Sequence, residues 1–197
     1  MFSQHIRPAM VSMVLFTLIL GLAYPLGMTG LIGLAFPAQA GGSLVRDAGG
    51  QVIGSRLIAQ GFTAPQYLHP RPSAAGNGYD PLSSGGSNLG PLDPKLIARV
   101  KGDAAALTKE NGPAPIPSDA VTTSASGLDP DISPANAAAQ AARIATARGL
   151  KPAEIQTVID ANTAQPILGF IGEPAVNVLA VNRTLDARFP VGHLKGQ

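Results

Sequence analysis

The hydrophobic pattern divides the chain sharply. No residue from 8 to 45 is Asp, Glu, Lys, Arg or His, and from Ala9 to Phe36 the run is almost wholly apolar, with Ser12, Thr17 and Thr29 as its aliphatic hydroxyls. A helix crosses the hydrocarbon core of a bilayer with about 20 apolar residues. This run exceeds that length, so it predicts one membrane-spanning helix over 9–36, preceded by a short tail over 1–8. The other reading is a signal peptide cleaved after Ala40, since Ala38-Gln39-Ala40 has the small-x-small form of a cleavage site. The apolar run is longer than the 7–15 residues usual for a signal h-region, which favours an uncleaved anchor.

Arg7 precedes the span, and after it Arg46 is offset at once by Asp47. Positive residues stay cytoplasmic. The tail is therefore expected in the cytoplasm and the domain over 37–197 outside it. Within the span, Ala23 and Gly27 place two small residues on one face, where another helix could approach closely. The span lacks any group that could line an ion path, so it is expected to anchor and pack rather than conduct.

Beyond the span the periods shorten and punctuation multiplies. Leu44 to Leu57 predicts two short strands around Ala48-Gly49-Gly50. From Gln60 to Pro94 no period is sustained, which predicts a long loop. Asp93-Pro94 and Gly112 bracket a helix with an apolar stripe at Leu96, Ile97, Val100, Ala104 and Leu107. After a Pro/Ser-rich connector over 111–130, Ser133-Pro134 and Gly149 bracket a second, alanine-rich helix. A third starts at Pro152, with Ile155, Val158 and Ile159 on one face. Val176 to Val181 reads as a short buried strand leading to a helical turn near Leu185. The expected class is α+β: one transmembrane helix, then a single small extracytoplasmic domain.

Composition adds exclusions. There is no cysteine, which removes disulfides, Cys-ligated metals and a thiol nucleophile. Charged residues are 13% of the chain and the formal net charge is +2, too slight a surplus to indicate a nucleic-acid partner. Mean hydropathy is +0.20, and 23 glycines with 18 prolines account for the loop-rich middle. His5, His69 and His193 have no metal-ligand spacing. His69, in Tyr67-Leu68-His69-Pro70-Arg71-Pro72-Ser73, reads first as a histidine ordering a proline-rich turn; a hydrolase using a serine and His69 would lack a motif that gives the serine a base. Ser84, Gly85, Gly86, Ser87 and Asn88 form the most glycine-rich stretch. Its backbone N–H groups could cradle an anion, but no Walker or dinucleotide fingerprint follows. Asp129 and Asp131 read as cap and turn formers, and Asn182-Arg183-Thr184 as a chance match to a glycosylation acceptor. For docking on a partner, Tyr67, His69, Arg71 and Asn88 are the loop candidates.

Four ordered blocks carry a resemblance: Tyr67 to Ala74, Ser84 to Gly90, Val121 to Pro130, and Gly172 to Leu179. Behind one N-terminal span, they resemble the C-subunit family of the Kdp potassium-transporting ATPases. Leu68, where the family commonly has an aromatic, and Thr123, where it often has alanine, depart from the pattern. The resemblance implies a non-catalytic accessory subunit of a bacterial inner-membrane complex. Its partners would be a potassium-binding channel-like subunit, a P-type ATPase subunit and the lipid bilayer. It further implies a catalytic chaperone that raises the ATP affinity of the ATPase subunit, holding no tightly bound cofactor and meeting ATP through the complex. This chain has neither D-K-T-G nor T-V-G-Y-G, so phosphorylation and ion selection are expected on other chains. A secreted or tethered binding domain released after Ala40 is the competing expectation.

Overall fold

The computed structural model describes residues 2–190. His193 and the last residues of the expected 37–197 domain lie outside them. The chain divides into two compact units, Met1–Ile53 and Gly54–Gln197.

The first unit is dominated by helix. α1 (Phe2–Leu18) passes through a π turn (Ile19–Ala23) into α2 (Tyr24–Ala35). Residues Gln4–Ala35 form a 32-residue helix, long and apolar enough to cross a membrane, with no buried residue and a mean hydropathy of 2.1 over its most apolar stretch. The π turn has a local cause. Pro25 has no N–H, and its ring crowds the carbonyl four residues back. The turn just before it widens, so that Tyr24 N–H donates to the Ile19 carbonyl. A Cβ placed on Gly27 would meet nothing within 4 Å, which leaves the small-residue face at Ala23 and Gly27 open. A short α3 (Pro37–Ala40) follows, then the expected hairpin of β1 (Leu44–Arg46) and β2 (Val52–Ser55). Asp47 makes that turn: its carboxylate accepts the N–H groups of Gly49 and Gln51, each at 2.9 Å.

In the second unit the boundary residues act as the sequence predicts. α4 (Pro94–Asn111) starts where the Asp93 carboxylate accepts Lys95 N–H at 2.8 Å. It ends at Gly112, whose φ of 89° suits glycine. Its apolar stripe is only half-buried, and Ile97 is 43% exposed. The connector after it is not wholly irregular, because α5 (Ser118–Val121) buries Ala120 and Val121. α6 (Pro134–Arg148) begins at Ser133, whose hydroxyl accepts Asn136 N–H at 3.1 Å. It stops at Gly149 in the left-handed region, with Leu150 N–H closing on Ala145 O at 2.9 Å.

Ala137, Ala141 and Ala145 recur every four residues along α6, and this row of small side chains lets α7 (Pro152–Ala161) pack closely against it. A three-stranded antiparallel sheet completes the layer in the order β3 (Asp131–Ile132), β5 (Ala175–Asn177), β4 (Thr163–Ala164). Ile132 and Thr163 both lie opposite Val176. Leu68, Ile144, Ile155, Ile159 and Leu185 are fully buried in the common core, each worth about 1.5–3 kcal/mol of burial.

One expectation fails here. The strand read over Val176 to Val181 ends at Asn177, and α8 (Val178–Arg188) follows at once. The Asn177 side chain accepts Ala180 N–H at 3.1 Å and caps a new helix. Val178, Val181, Asn182 and Leu185 then share its buried face at helical spacing.

Candidate functional site

The long loop after Gln60 is pinned to α6 and α8 by amide side chains. Leu68 donates its N–H to Asn182 Oδ1 at 2.7 Å and accepts from Asn182 Nδ2 at 2.9 Å. His69 does the same with Gln140, at 2.9 and 3.1 Å. Successive residues of an extended segment point their backbone groups to opposite sides. One amide therefore stands on each side and replaces a neighbouring strand. Asn182 is 2% exposed and Gln140 3%, so both clamps work away from water.

Gln140 belongs to a polar row along α6. Its Nε2 donates to Asn136 Oδ1 at 3.0 Å, and its Oε1 accepts from Arg143 Nη2 at 2.6 Å. Arg143 extends the row to the carbonyls of Pro65 and Tyr67, at 2.6 and 3.0 Å, and to Glu110 at 3.0 Å. The sequence offered His69 no neighbouring carboxylate. The fold supplies one from α4: Glu110 Oε1 lies 3.1 Å from His69 Nδ1, while Nε2 sits 3.0 Å from Ala64 O. Burial first, and then the Arg143 guanidinium, push the imidazole pKa below its ordinary value, against the pull of Ala64 and Glu110.

The other loop candidates are also engaged within the chain. Tyr67 Oη donates to Asp186 Oδ2 at 3.1 Å, and its ring lies 5.3 Å beneath the Arg148 guanidinium. Arg148 reaches Gln66 O, Phe189 O and Asp186 Oδ1 at 2.8, 3.0 and 2.8 Å. Arg71 Nη1 meets Asp129 Oδ2 at 3.0 Å, and its Nε donates to Thr122 O at 3.2 Å. The glycine-rich stretch is stitched to 124–127: Gly85 N–H and the Ser84 hydroxyl both donate to Ser126 O at 2.9 Å. Gly86 lies close enough that a Cβ would come within 3.2 Å of Ala125 O. Ser87 is half-buried, while Asn88 is exposed with φ 52°. The fold thus joins Tyr67, His69 and Arg71 to the helices and to 122–129. Ala23 and Gly27 belong to the other unit.

Beside Arg71 opens a cleft of about 490 Å³ lined by Asp119, Asp129, Asp131, Ser133 and Glu173. Among the described residues no group of three His, Asp or Glu side chains is placed to hold a metal. Asp129 takes the turn-forming role expected of it, its Oδ1 accepting Asp131 N–H at 3.1 Å, whereas Asp131 lies in β3 and its Oδ1 accepts Asn177 Nδ2 across the sheet at 2.9 Å.

The family described as K+-transporting ATPase, c chain (KdpC), matches residues 6–187. The chain belongs to the KdpC family. A Caulobacter sp. (strain K31) protein named potassium-transporting ATPase KdpC subunit is 65% identical over 193 residues, covering 98% of each chain. Proteins of the same name from Caulobacter vibrioides and Beijerinckia indica are 64% and 58% identical, over 95% of this chain and 95% and 96% of theirs.

The four blocks that carry the KdpC resemblance meet in this arrangement. The block at Tyr67 is the clamped loop, the blocks at Ser84 and Val121 are stitched together at Ser126, and the block at Gly172 leads through β5 into α8. Sequence reading missed the side chains that do the clamping. Asn182 looked like a chance glycosylation match, yet it is in the core. Asn136, Gln140 and Arg143 recur at helical spacing on an otherwise alanine-rich helix, and that polar row was the available signal.

Asp119 anchors one end of the row. It accepts Ser133 N–H, the Ser133 hydroxyl and Asn136 Nδ2 at 2.8, 2.9 and 3.1 Å. Burial alone would raise its pKa, but these hydrogen bonds outweigh burial and hold it below the usual carboxylate range. A depressed acid stabilises the fold fully above its unfolded value of about 3.9, and that contribution is lost as pH falls through the folded value. Asp119→Asn should therefore lower the unfolding midpoint at pH 7, by about 1–3 kcal/mol of stability, and the gap to the unaltered chain should narrow below about pH 4. A gap unchanged between pH 7 and pH 3 would contradict this role.

Proposed function

We propose that this chain is a non-catalytic accessory subunit of an ATP-driven potassium import complex, with its globular unit outside the cytoplasm. It supports assembly and raises the ATP affinity of a P-type ATPase subunit. The observation that carries this reading is the KdpC match over residues 6–187. The geometry adds support: His69, the loop residue weighed as a base, holds the loop to its own domain, as do the docking candidates Tyr67 and Arg71. Gly85 N–H, which a phosphate cradle would need, is already donated to Ser126 O. An effect on ATP is then a coupling transmitted through the assembly, equivalent to a free energy shared between two distant sites. The flanking charge of Arg7 supports the outward orientation.

The test is a mild-detergent pull-down from potassium-starved membranes with intact mass measurement. Co-recovery of a P-type ATPase chain and a channel-like chain, with the N-terminal segment retained, is expected. Recovery alone with a mass beginning at Gly41 would replace this reading with an exported binding domain. Membranes lacking the chain should show a raised KM for ATP that co-expression restores. Protease added to sealed inside-out vesicles should leave the globular unit intact; its digestion there would reverse the orientation.

A further inference from the structure

Between β4 and β5 the chain runs out into solvent as a small apolar finger over 165–172. Ile167, Leu168, Phe170 and Ile171 are 69, 79, 76 and 51% exposed. The finger is a built structure. Ile167 and Ile171 exchange both backbone hydrogen bonds at 3.0 Å, and Gly169 N–H closes on Pro166 O at 3.0 Å. Its tip holds Leu168 at φ 55° and Gly169 at φ 80°. Asparagine or glycine serves a left-handed tip position, whereas leucine there is disfavoured both by its backbone and by its exposure to water. Neither folding nor solubility accounts for four large apolar side chains in this place, and contiguous exposed apolar surface marks an interaction site.

We propose that this finger is a plug that enters an apolar pocket on a partner protein of the same potassium-transporting assembly. The inference rests on the accessory-subunit reading above and names the element that docks. Two other occupants fit less well. A lipid surface is favoured by basic residues beside the apolar ones, but residues 152–182 contain no lysine or arginine and carry Glu154, Asp160 and Glu173. A second copy would need an apolar pocket of matching size. The apolar pocket beside Leu107, Pro115 and Ile116 holds about 20 Å³, room for a water and not for a side chain. Two larger clefts among the described residues are lined by charged groups such as Asp119, Glu110 and Arg143.

The test uses the full chain in its own membranes. Phe170→p-benzoylphenylalanine, irradiated in place, should give an adduct with a partner protein chain, identified by mass spectrometry. Paired Leu168→Ser and Phe170→Ser substitutions should leave the unfolding midpoint of the chain unchanged and lower recovery of the complex by roughly tenfold or more, as loss of two buried anchors does. An adduct with lipid or with a second copy, no adduct at all, or normal recovery of the paired variant would each overturn the plug. If the unaltered chain itself recovers no ATPase or channel-like chain, the accessory-subunit reading falls and takes the plug with it. Normal recovery of both the unaltered and the paired chain removes the plug alone.

Discussion

Asn182→Leu is expected to destabilise the globular unit by about 2–6 kcal/mol, because it strands two buried backbone groups at once. The Leu68 N–H and carbonyl have Asn182 as their partner, at 2.7 and 2.9 Å, and water does not reach the site. Leucine keeps the branched shape but its methyl groups are bulkier, so overpacking adds to the lost hydrogen bonds. Asn182→Asp should fare no better. A carboxylate can accept the Leu68 N–H but cannot donate to its carbonyl, and burial penalises its charge. The measurement is urea unfolding of the detergent-solubilised full chain, followed by far-ultraviolet circular dichroism. A midpoint within about 0.5 kcal/mol of the unaltered chain, the range of ordinary surface substitutions, would sink the clamp as a source of stability. Gln140→Leu should behave similarly. The double variant should cost less than the two singles together, since both amides hold adjacent residues of one segment and releasing one side frees the other.

Such a clamp shows where sequence reading reaches its limit. Helix boundaries were legible because their determinants are local. Asp93-Pro94, Ser133-Pro134, Gly112 and Gly149 each act on residues within one turn, and each does what its position predicts. The start of α8 was not legible for a related reason. The run from Val176 to Val181 has the composition of a strand, and one cap, Asn177 on Ala180 N–H, turns it into a helix. The candidate site was less legible still. Leu68 and Asn182 are 114 residues apart, and His69 and Gln140 are 71 apart. No spacing rule reaches across such distances. What the sequence did carry was order: four blocks in a fixed sequence behind one apolar span, which pointed to the family although no block gave a mechanism. The exposed finger at Ile167 to Ile171 passed unnoticed because a short apolar run reads equally as core until burial is known.

Gly127→Ala is expected to cost about 2–6 kcal/mol, from a left-handed backbone forced on alanine together with overpacking. Gly127 has φ 67°, and an added Cβ would lie 2.7 Å from both Ala75 N and Gly85 O. Both are backbone atoms, so no flexible side chain can yield. The segments around Ser73 and Gly85 would have to separate. That strains the Ser73 hydroxyl bond to Gly127 O at 2.6 Å and the two bonds that Ser84 and Gly85 donate to Ser126 O. Gly85→Ala is the matched control. Its Cβ meets nothing within 4 Å, so stability should stay within about 0.5 kcal/mol. The pair also separates two roles for the glycine-rich loop. If the loop is a wedge that shapes the domain, Gly127→Ala should lower complex recovery and raise the KM for ATP of what remains, while Gly85→Ala changes neither. If the loop instead bound nucleotide through its own backbone, Gly85→Ala would raise the KM for ATP with stability intact. That second result would move the ATP effect from a coupling across the assembly to a contact made by this chain. It would also require the globular unit to face the cytoplasm, so the same outcome should appear as digestion of that unit in inside-out vesicles.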